Sequence, residues 1–279
     1  SMMCPLARSN SIVNMTQVHI FVNVTYTRSM NLAKHIHMVG IGGIGMSGLA
    51  QLLAHRGVVV TGSDREESPT TALLKEKGIL VQIGHGTAIP EETELLVYSD
   101  AVQADNPERI DAREKGISQT SYFEMLGKIS ASMRTIAVAG THGKTTTTGM
   151  LTDAGVRPTA IIGSIVRDFG SNFLPGDDKV FVVEACEYRD HLLELSPEIL
   201  VITNLELDHT DFFPSLSALQ STFRAAVEKI PAHGAIIANP NDPNVAAVLK
   251  GAKARIIDYT QKAIGSLQLV GEFNRENAR

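Results

Sequence analysis

A glycine-rich segment in the middle of the chain has the residue types that hold nucleotide phosphates. Residues 140–146 have the sequence Gly-Thr-His-Gly-Lys-Thr-Thr and follow an apolar run at 134–139. Backbone N–H groups of such a loop can cradle phosphates, the Lys144 ammonium can neutralise their charge, and the Thr145 hydroxyl can bind Mg²⁺. The first glycine of the usual G-x-x-x-x-G-K-T pattern would fall on Val138, so the motif is a shortened form. We predict an ATP site formed by Gly140, Thr141, His142, Gly143, Lys144, Thr145 and Thr146, with catalytic roles for Lys144 and His142.

Polar residues that follow two later apolar runs suit the positions around a metal ion beside this loop. Glu184 ends the run 180–183, Asn204 follows 199–203, and His209 comes five residues later. If these runs are parallel neighbouring strands, all three side chains lie at the same sheet edge. One carboxylate with phosphates and water is ordinary for Mg²⁺, whereas an imidazole ligand is less usual. Each residue alone is better explained as a cap or a surface group, but as a set they predict catalytic, metal-binding roles for Glu184 and His209 and nucleotide binding by Asn204.

A second glycine pattern lies near the start of the chain. Residues 40–45 match G-x-G-x-x-G between a predicted strand at 35–39 and a predicted helix at 44–55. The next predicted strand, 58–61, is followed by Asp64, at the distance that a dinucleotide-binding βαβ unit requires. Such glycines allow a diphosphate to approach the helix N-terminus. The pattern predicts a diphosphate ligand and does not single out NAD.

Two further residues follow predicted strands of the same unit. His85 lies between two glycines, where a ligand contact and a solvated turn are equally good explanations. Ser99 opens the loop 99–106 after a strand at 95–98, at the sheet edge where ligands of open α/β sheets bind. The predicted diphosphate site comprises Gly40, Gly42, Gly43, Ile44, Gly45, Asp64, His85 and Ser99.

The elements that must position these residues alternate between strand and helix, which predicts an α/β fold. We expect a Rossmann-like domain with a parallel sheet at 34–133 and an incomplete P-loop α/β central domain at 134–279. Helices are also predicted at 70–77 and 110–115. Residues 1–33 contain no Asp, Glu or Lys. They are expected to be an atypical extension that carries either an edge strand at 18–26 or a transit peptide.

The composition excludes several classes of protein. The 279 residues include 25 basic and 30 acidic side chains, and the net charge of −5 argues against sequence-independent electrostatic binding of nucleic acid. The apolar fraction of 43% excludes a mainly disordered chain. Cys4 and Cys186 are far apart and form no metal-ligand pair, which indicates a reducing compartment and leads us to expect a cytoplasmic protein. No apolar run approaches the ~18 residues of a membrane span.

Two different phosphate sites in one chain narrow the function. A dehydrogenase needs only the first site and a simple NTPase only the second. A kinase or ligase that acts on a diphosphate-bearing substrate needs both. A non-catalytic sensing module with an NAD-binding Rossmann domain, and an unrelated P-loop NTPase, stay open as alternatives.

The combination of motifs resembles the Mur ligases, ATP-dependent enzymes that add amino acids to the peptidoglycan precursor. The segments that carry the resemblance are 35–47, 62–64 (Gly-Ser-Asp), 106–108 (Asn-Pro-Glu), 140–148, 184–187 (Glu-Ala-Cys-Glu), 203–204 (Thr-Asn) and 208–209 (Asp-His). The resemblance implies that the first glycine loop holds the UDP of UDP-N-acetylmuramate. It also implies Mg²⁺ ligation by Thr145, Glu184 and His209, which accounts for the unusual imidazole.

Within this family the expected reaction joins L-alanine to UDP-N-acetylmuramate through an acyl phosphate. Attachment of a recycled tripeptide is the near alternative. The family also has a C-terminal domain, which we expect to be absent here because 271–278 resembles a motif late in the central domain. The chain is therefore expected to be a two-domain fragment that is inactive alone. Cys186 stands where many relatives carry Asp, and we expect it to serve packing.

Overall fold

The structure is a computed structural model that describes residues 32–86, 88–153, 157–167, 169–177, 179–261 and 277. The predicted edge strand at 18–26, most of the predicted extension, and the 271–278 motif except Asn277 lie outside the described residues. Within the described part, no helix combines the length and the apolar character needed to cross a membrane.

The first sheet has five parallel strands, as the sequence predicts. They are β1 (His35–Val39), β2 (Val59–Asp64), β3 (Leu80–Ile83), β4 (Leu95–Tyr98) and β5 (Ser118–Ser121), in the order β3-β2-β1-β4-β5. The accompanying helices are α1 (Ile44–His55), α2 (Pro69–Glu76), α3 (Pro107–Glu114) and α4 (Tyr122–Ser132). The strand order reverses between β1 and β4, and such a switch point is where open α/β sheets bind ligands.

Helix α3 corrects one sequence expectation. It begins at Pro107 and not at Ile110, because the Asn106 side chain accepts hydrogen bonds from the N–H groups of Glu108 and Arg109. Asn at the N-cap followed by Pro is a standard helix start. The earlier start brings Glu108 into the first turn, where it is 1% exposed.

The second sheet has seven strands. They are β6 (Arg134–Ala139), β7 (Thr159–Val166), β8 (Ser171–Leu174), β9 (Val180–Glu184), β10 (Ile199–Ile202), β11 (Ala235–Ala238) and β12 (Arg255–Asp258). Their order is β12-β11-β10-β6-β9-β7-β8, and all neighbours are parallel except β7 and β8. The helices are α5 (Lys144–Asp153), α6 (Leu216–Lys229) and α7 (Pro243–Leu249), with 3₁₀ segments at Tyr188–Glu194 and Tyr259–Gln261. Because β6 lies between β9 and β10, the parallel arrangement assumed in the sequence argument is confirmed.

Polar contacts join the two sheets through α1 and the β7–β8 hairpin. The Asn172 side chain on β8 accepts a 3.0 Å hydrogen bond from Gln51 and donates to Ile44 O and Ser47 Oγ. Gln51 in turn accepts a 2.8 Å bond from Ser171. The side chains of Gln51, Ser47, Ser171 and Asn172 are buried. Buried polar groups need partners, so this network fixes how α1 meets the second sheet.

A second contact lies between the loop after β4 and the 3₁₀ segment Tyr188–Glu194. His191 Nε2 is 2.6 Å from Asp100 Oδ2, and the His191 ring stacks on Phe123 at 3.5 Å between centroids. The Asp100 loop begins at Ser99, a predicted ligand residue. This contact therefore connects the edge of the first sheet where a ligand is predicted to the second sheet.

Candidate functional site

The loop after β6 has the backbone that the phosphate-site prediction requires. Gly140 has φ +128°, and a Cβ on it would collide with Thr203 Oγ1 and the Asn204 backbone. Asn204 Oδ1 accepts the His142 N–H at 2.9 Å, while its amide donates to the His142 carbonyl at 3.2 Å. Thr203 Oγ1 donates to the same carbonyl at 2.6 Å. Asn204 was predicted to bind ATP, and here its amide holds the loop backbone in place.

Other predicted residues of this loop differ in their surroundings. The exposed His142 is bound through its backbone, and Thr141 Oγ1 donates to Glu206 O at 2.9 Å. Gly143 has φ +84°, and a Cβ there would collide with the Asn277 side chain. Thr146 is half-buried on α5. The loop is thus held from outside by side chains of neighbouring segments.

Lys144 lies beside a carboxylate that the sequence argument did not single out as a site residue. Its Nζ is 3.1 Å from Glu187 Oε1 and 3.2 Å from Oε2, and it also donates to Gly140 O at 2.5 Å. The Glu187 side chain is 2% exposed, and His209 Nε2 lies 3.6 Å from its Oε1. These contacts hold the Lys144 ammonium beside the glycine loop.

Thr145 and Glu184, two of the three predicted metal ligands, are in direct contact. Thr145 Oγ1 donates to Glu184 Oε2 at 3.0 Å, and the Gly163 N–H donates to Oε1 at 2.6 Å. A Cβ on Gly163 would fall 2.6 Å from Glu184 Oε2, so the backbone of β7 forms a cradle for the carboxylate. Burial raises the pKa of Glu184, while the Gly163 and Thr145 hydrogen bonds oppose that rise.

The donor chemistry at this position fits Mg²⁺, which prefers oxygen ligands and tolerates one protein carboxylate with phosphates and water. His209 has φ +50°, and its ring contacts Glu187 and Tyr188. In the described part of the chain, no three His, Cys, Asp or Glu side chains form a cluster that could hold a metal ion. A Mg²⁺ site here would depend on the Thr145 hydroxyl and on ligand oxygens in addition to Glu184 and His209.

The first glycine loop uses most of its own N–H groups internally. Gly40 and Ile41 donate to Ser63 O, and Gly43 donates to Gly40 O. Gly42 donates to Asp64 Oδ2 at 2.7 Å. Helix α1 has no side-chain cap. Because first-turn amides lack partners within a helix, a diphosphate here would bind at the amides of Ile44 and Gly45 rather than at Gly42.

The glycines of this loop serve close packing. A Cβ on Gly42 would fall 2.7 Å from Thr71 Cγ2 and 2.9 Å from Asp64 Oδ2. A Cβ on Gly45 would fall 2.6 Å from the Tyr122 ring. Gly40 has φ +79°, and a Cβ on it would fall 3.0 Å from the Cβ of Ser99. Asp64 and Ser99 therefore lie against the loop, where the prediction placed them.

The comparisons with known proteins cover the same two regions of the chain. The model described as the Mur ligase family, catalytic domain, matches residues 35–134, and the Mur ligase middle domain matches 138–278. The chain belongs to the Mur ligase family. The α/β fold and the family resemblance inferred from the motifs are thereby confirmed.

Related Mur ligases with curated names share about two fifths of their residues with this chain. The UDP-N-acetylmuramate–L-alanine ligase of Salinibacter ruber is 42% identical over 231 residues, covering 81% of this chain and 49% of that protein. The enzyme of the same name from Caldicellulosiruptor saccharolyticus is 41% identical over 230 residues, covering 81% and 50%. The chain thus spans about half the length of the curated relatives it matches.

Solved structures of Mur ligases have the same two-domain arrangement. The UDP-N-acetylmuramate:L-alanyl-γ-D-glutamyl-meso-diaminopimelate ligase from Neisseria meningitides has a TM-score of 0.78 at 27% identity, covering 88% of this chain and 91% of that one. The UDP-N-acetylmuramate-alanine ligase MurC from Thermotoga maritima has a TM-score of 0.70 at 31% identity, covering 77% and 51%.

Two acidic residues of this Mur ligase chain were missed as site residues. Glu187 and Glu108 both lie in quoted motifs, but sequence spacing alone assigned them no contact. Glu187 is the partner of Lys144. Glu108 Oε2 lies 3.5 Å from His85 Nδ1, a predicted ligand residue. The sequence signal that could have identified them is their position: Glu187 closely follows a predicted strand, and Glu108 closely precedes a predicted helix.

Proposed function

We propose that this chain forms the UDP-sugar-binding and ATP-binding part of a ligase that joins L-alanine to UDP-N-acetylmuramate in peptidoglycan precursor synthesis. The observation that carries the proposal is the presence of two glycine loops, each at the C-terminal ends of parallel strands in its own sheet. One loop is backed by Asp64 and Ser99, and the other by Lys144 with its Glu187 partner. The names of the curated relatives support the same substrates.

The residues of the second loop suit activation of a carboxylate by ATP. In the proposed reaction the muramate carboxylate oxygen attacks the γ-phosphorus, the bond to the β,γ-bridging oxygen breaks, and ADP leaves. The L-alanine amine then attacks the acyl carbon, and phosphate leaves. Lys144 neutralises charge that spreads over the phosphate oxygens in the first step, while the surrounding loop orients them.

Mg²⁺ is part of the same proposal. Thr145, Glu184 and His209 would hold it, and when bound it would neutralise phosphate charge. The chain itself keeps the Glu184 carboxylate in place through the Gly163 N–H. His142, exposed on the loop, is proposed to contact phosphate or substrate.

Calorimetric titration of the 279-residue chain tests the proposal. UDP-N-acetylmuramate, Mg-ATP and NAD are titrated in turn. We expect stoichiometric binding of the UDP-sugar, weaker binding of Mg-ATP and no binding of NAD. Binding of NAD without the UDP-sugar would favour the sensing module, and ATP hydrolysis indifferent to the UDP-sugar would favour an unrelated NTPase.

A murein-peptide ligase is the second candidate, favoured by the likeness to the Neisseria structure over 88% of this chain. Both candidates bind the same UDP-sugar and differ in the amine that they accept. In a full-length enzyme that contains this sequence, phosphate release from Mg-ATP in the presence of UDP-N-acetylmuramate is measured once with L-alanine and once with the L-alanyl-γ-D-glutamyl-meso-diaminopimelate tripeptide as the acceptor. Stimulation by the tripeptide alone would replace the first candidate with the second.

A further inference from the structure

A buried carboxylate in the first domain connects several elements at the edge where the UDP-sugar is proposed to bind. Glu108, in the first turn of α3, accepts a 2.5 Å hydrogen bond from Ser63 Oγ and a 3.0 Å bond from the Gly86 N–H. His37 Nε2 is 3.8 Å from its Oε1, and His85 Nδ1 is 3.5 Å from its Oε2. This one side chain therefore reaches β1, the end of β2 and the loop after β3.

The carboxylate is ionised in the folded chain. Burial by itself would raise its pKa, but the nearby His37 imidazole and the hydrogen bonds from Ser63 and the Gly86 backbone together lower the pKa of Glu108 below its usual value. An ionised carboxylate accepts hydrogen bonds and donates none. The single hydrogen of the Ser63 hydroxyl must therefore point at Glu108.

The direction of that hydrogen bond determines the protonation of His85. Ser63 Oγ is 3.3 Å from His85 Nδ1, and with its hydrogen committed to Glu108 it can only accept from the ring. Nδ1 of His85 consequently carries the hydrogen, and Nε2 of the neutral ring is an acceptor. The His85 side chain is 27% exposed, so the ring is accessible to a ligand.

We propose that Glu108 is a positioning residue that fixes the Nδ1–H tautomer of His85, so that Nε2 accepts a hydrogen bond from an N–H or O–H group of the bound UDP-sugar. This inference rests on the proposed function. Glu108 acts through Ser63 and His85, as an outer residue that orients a ligand-binding imidazole. A neutral acceptor cannot bond to an unprotonated phosphate oxygen, so the ligand group is a sugar hydroxyl or the uracil imide rather than the diphosphate.

Replacement Glu108→Gln reverses the hydrogen-bond direction while keeping the shape. The amide oxygen must face the Gly86 N–H, which leaves the NH₂ group to donate to Ser63 Oγ. The Ser63 hydrogen then turns toward His85 Nδ1, and the ring hydrogen moves to Nε2. Ser63→Ala, by contrast, leaves Nδ1–H facing the Glu108 carboxylate and retains the original tautomer.

The tautomer is read by ¹⁵N–¹H NMR of the ¹⁵N-histidine-labelled chain, well above the ordinary imidazole pKa of ~6.5. The His85 signals among the nine histidines are assigned from a His85→Gln spectrum. We expect a protonated Nδ1 in the wild type and in Ser63→Ala, and a protonated Nε2 in Glu108→Gln. A protonated Nε2 in the wild type overturns the proposal. This measurement does not depend on whether the Glu108 variant folds.

Calorimetry then connects the tautomer to the ligand. We expect Glu108→Gln to bind UDP-N-acetylmuramate about tenfold more weakly, the effect of roughly one hydrogen bond. Glu114→Gln, at an exposed position on the same helix, is the matched control and should bind like the wild type. Equal affinities of the two variants would overturn the positioning role. Failure of the wild type to bind the UDP-sugar would overturn the proposed function and, with it, the ligand contact inferred for His85. The tautomer assignment is tested separately, by the NMR result.

Discussion

Lys144 Nζ lies 3.1 Å from Oε1 of Glu187, a carboxylate that is only 2% exposed. Lys144 begins α5, which follows β6, and Glu187 lies in the segment after β9, the parallel neighbour of β6. The Lys144 ammonium thus has a buried carboxylate as its counter-ion. This pair gives the first prediction.

Lys144→Met should destabilise the folded chain by about 3 kcal/mol, because it leaves the Glu187 carboxylate buried beside His209 alone. The value is at the low end for broken buried pairs, since the Lys144 side chain keeps 20% of its surface exposed. Urea denaturation measures the free energy of unfolding. The double variant Lys144→Met/Glu187→Gln should regain most of the loss. A double variant as unstable as Lys144→Met would contradict the ion-pair explanation.

Gly42→Val should weaken UDP-N-acetylmuramate binding by about 10²-fold. A Cβ at this position falls within 2.7 Å of Thr71 Cγ2 and 2.9 Å of Asp64 Oδ2. The loop must shift, which breaks the Gly42–Asp64 hydrogen bond and displaces the first-turn amides of α1. Each hydrogen bond from such an amide to a charged diphosphate is worth roughly 1.5–3 kcal/mol. Calorimetry measures the affinity. Gly149→Ala, where a Cβ has open space, is the control for substitution of a glycine as such.

Glu184→Ala and His209→Ala should each lower Mg-ATP affinity about tenfold or more, the loss of roughly one charge-assisted contact. Binding of the UDP-sugar should stay near the wild-type value, because its site is on the other sheet. Effects of variants at the two sites should therefore add. His233→Ala, at an exposed position, is the matched histidine control. Equal loss of UDP-sugar binding would contradict the two-site assignment.

The stability contributed by Glu108 should depend on pH with a defined sign. Its folded-state pKa is below the reference value of 4.5, so ionisation favours the folded chain above that pH. The wild type should be more stable than Glu108→Gln at neutral pH. The difference should shrink as pH falls from 4.5 through the lowered folded-state pKa. Denaturation at a series of pH values checks the trend, and a difference that grows in acid would exclude an ionised Glu108.

The sequence could predict the elements whose ends are set by nearby residues, such as flanking glycines or the end of an apolar run. Helix α1 has the predicted bounds, Ile44–His55, because glycines flank it on both sides. Glu184 lies at the P-loop because the β9 run ends there and parallel strands end at one edge. Helix α4 was not predicted, although Ser121 and Glu124 form a capping box that marks its start.

Other features depend on contacts that no local pattern reveals. Arg189 and Asp190 adopt φ +52° and +61°, unusual values for residues other than glycine. The roles of Asn204 and Gly42 also emerged only in three dimensions. Both were predicted to face a ligand, and both form hydrogen bonds within the protein. A polar residue at a strand end can serve the ligand or the loop, and spacing does not distinguish them.

The buried Asn172 network makes the contact between α1 and β8 costly to break. A rotation that slid α1 along β8 would strip Gln51 and Asn172 of their partners, at about 1–3 kcal/mol for each buried group. The Asp100–His191 pair at the other contact is more exposed, at 29% and 13% of its side chains. The contact between α1 and β8 is therefore the more costly of these two contacts to disrupt, and it anchors the first glycine loop, which leads into α1, against the second sheet.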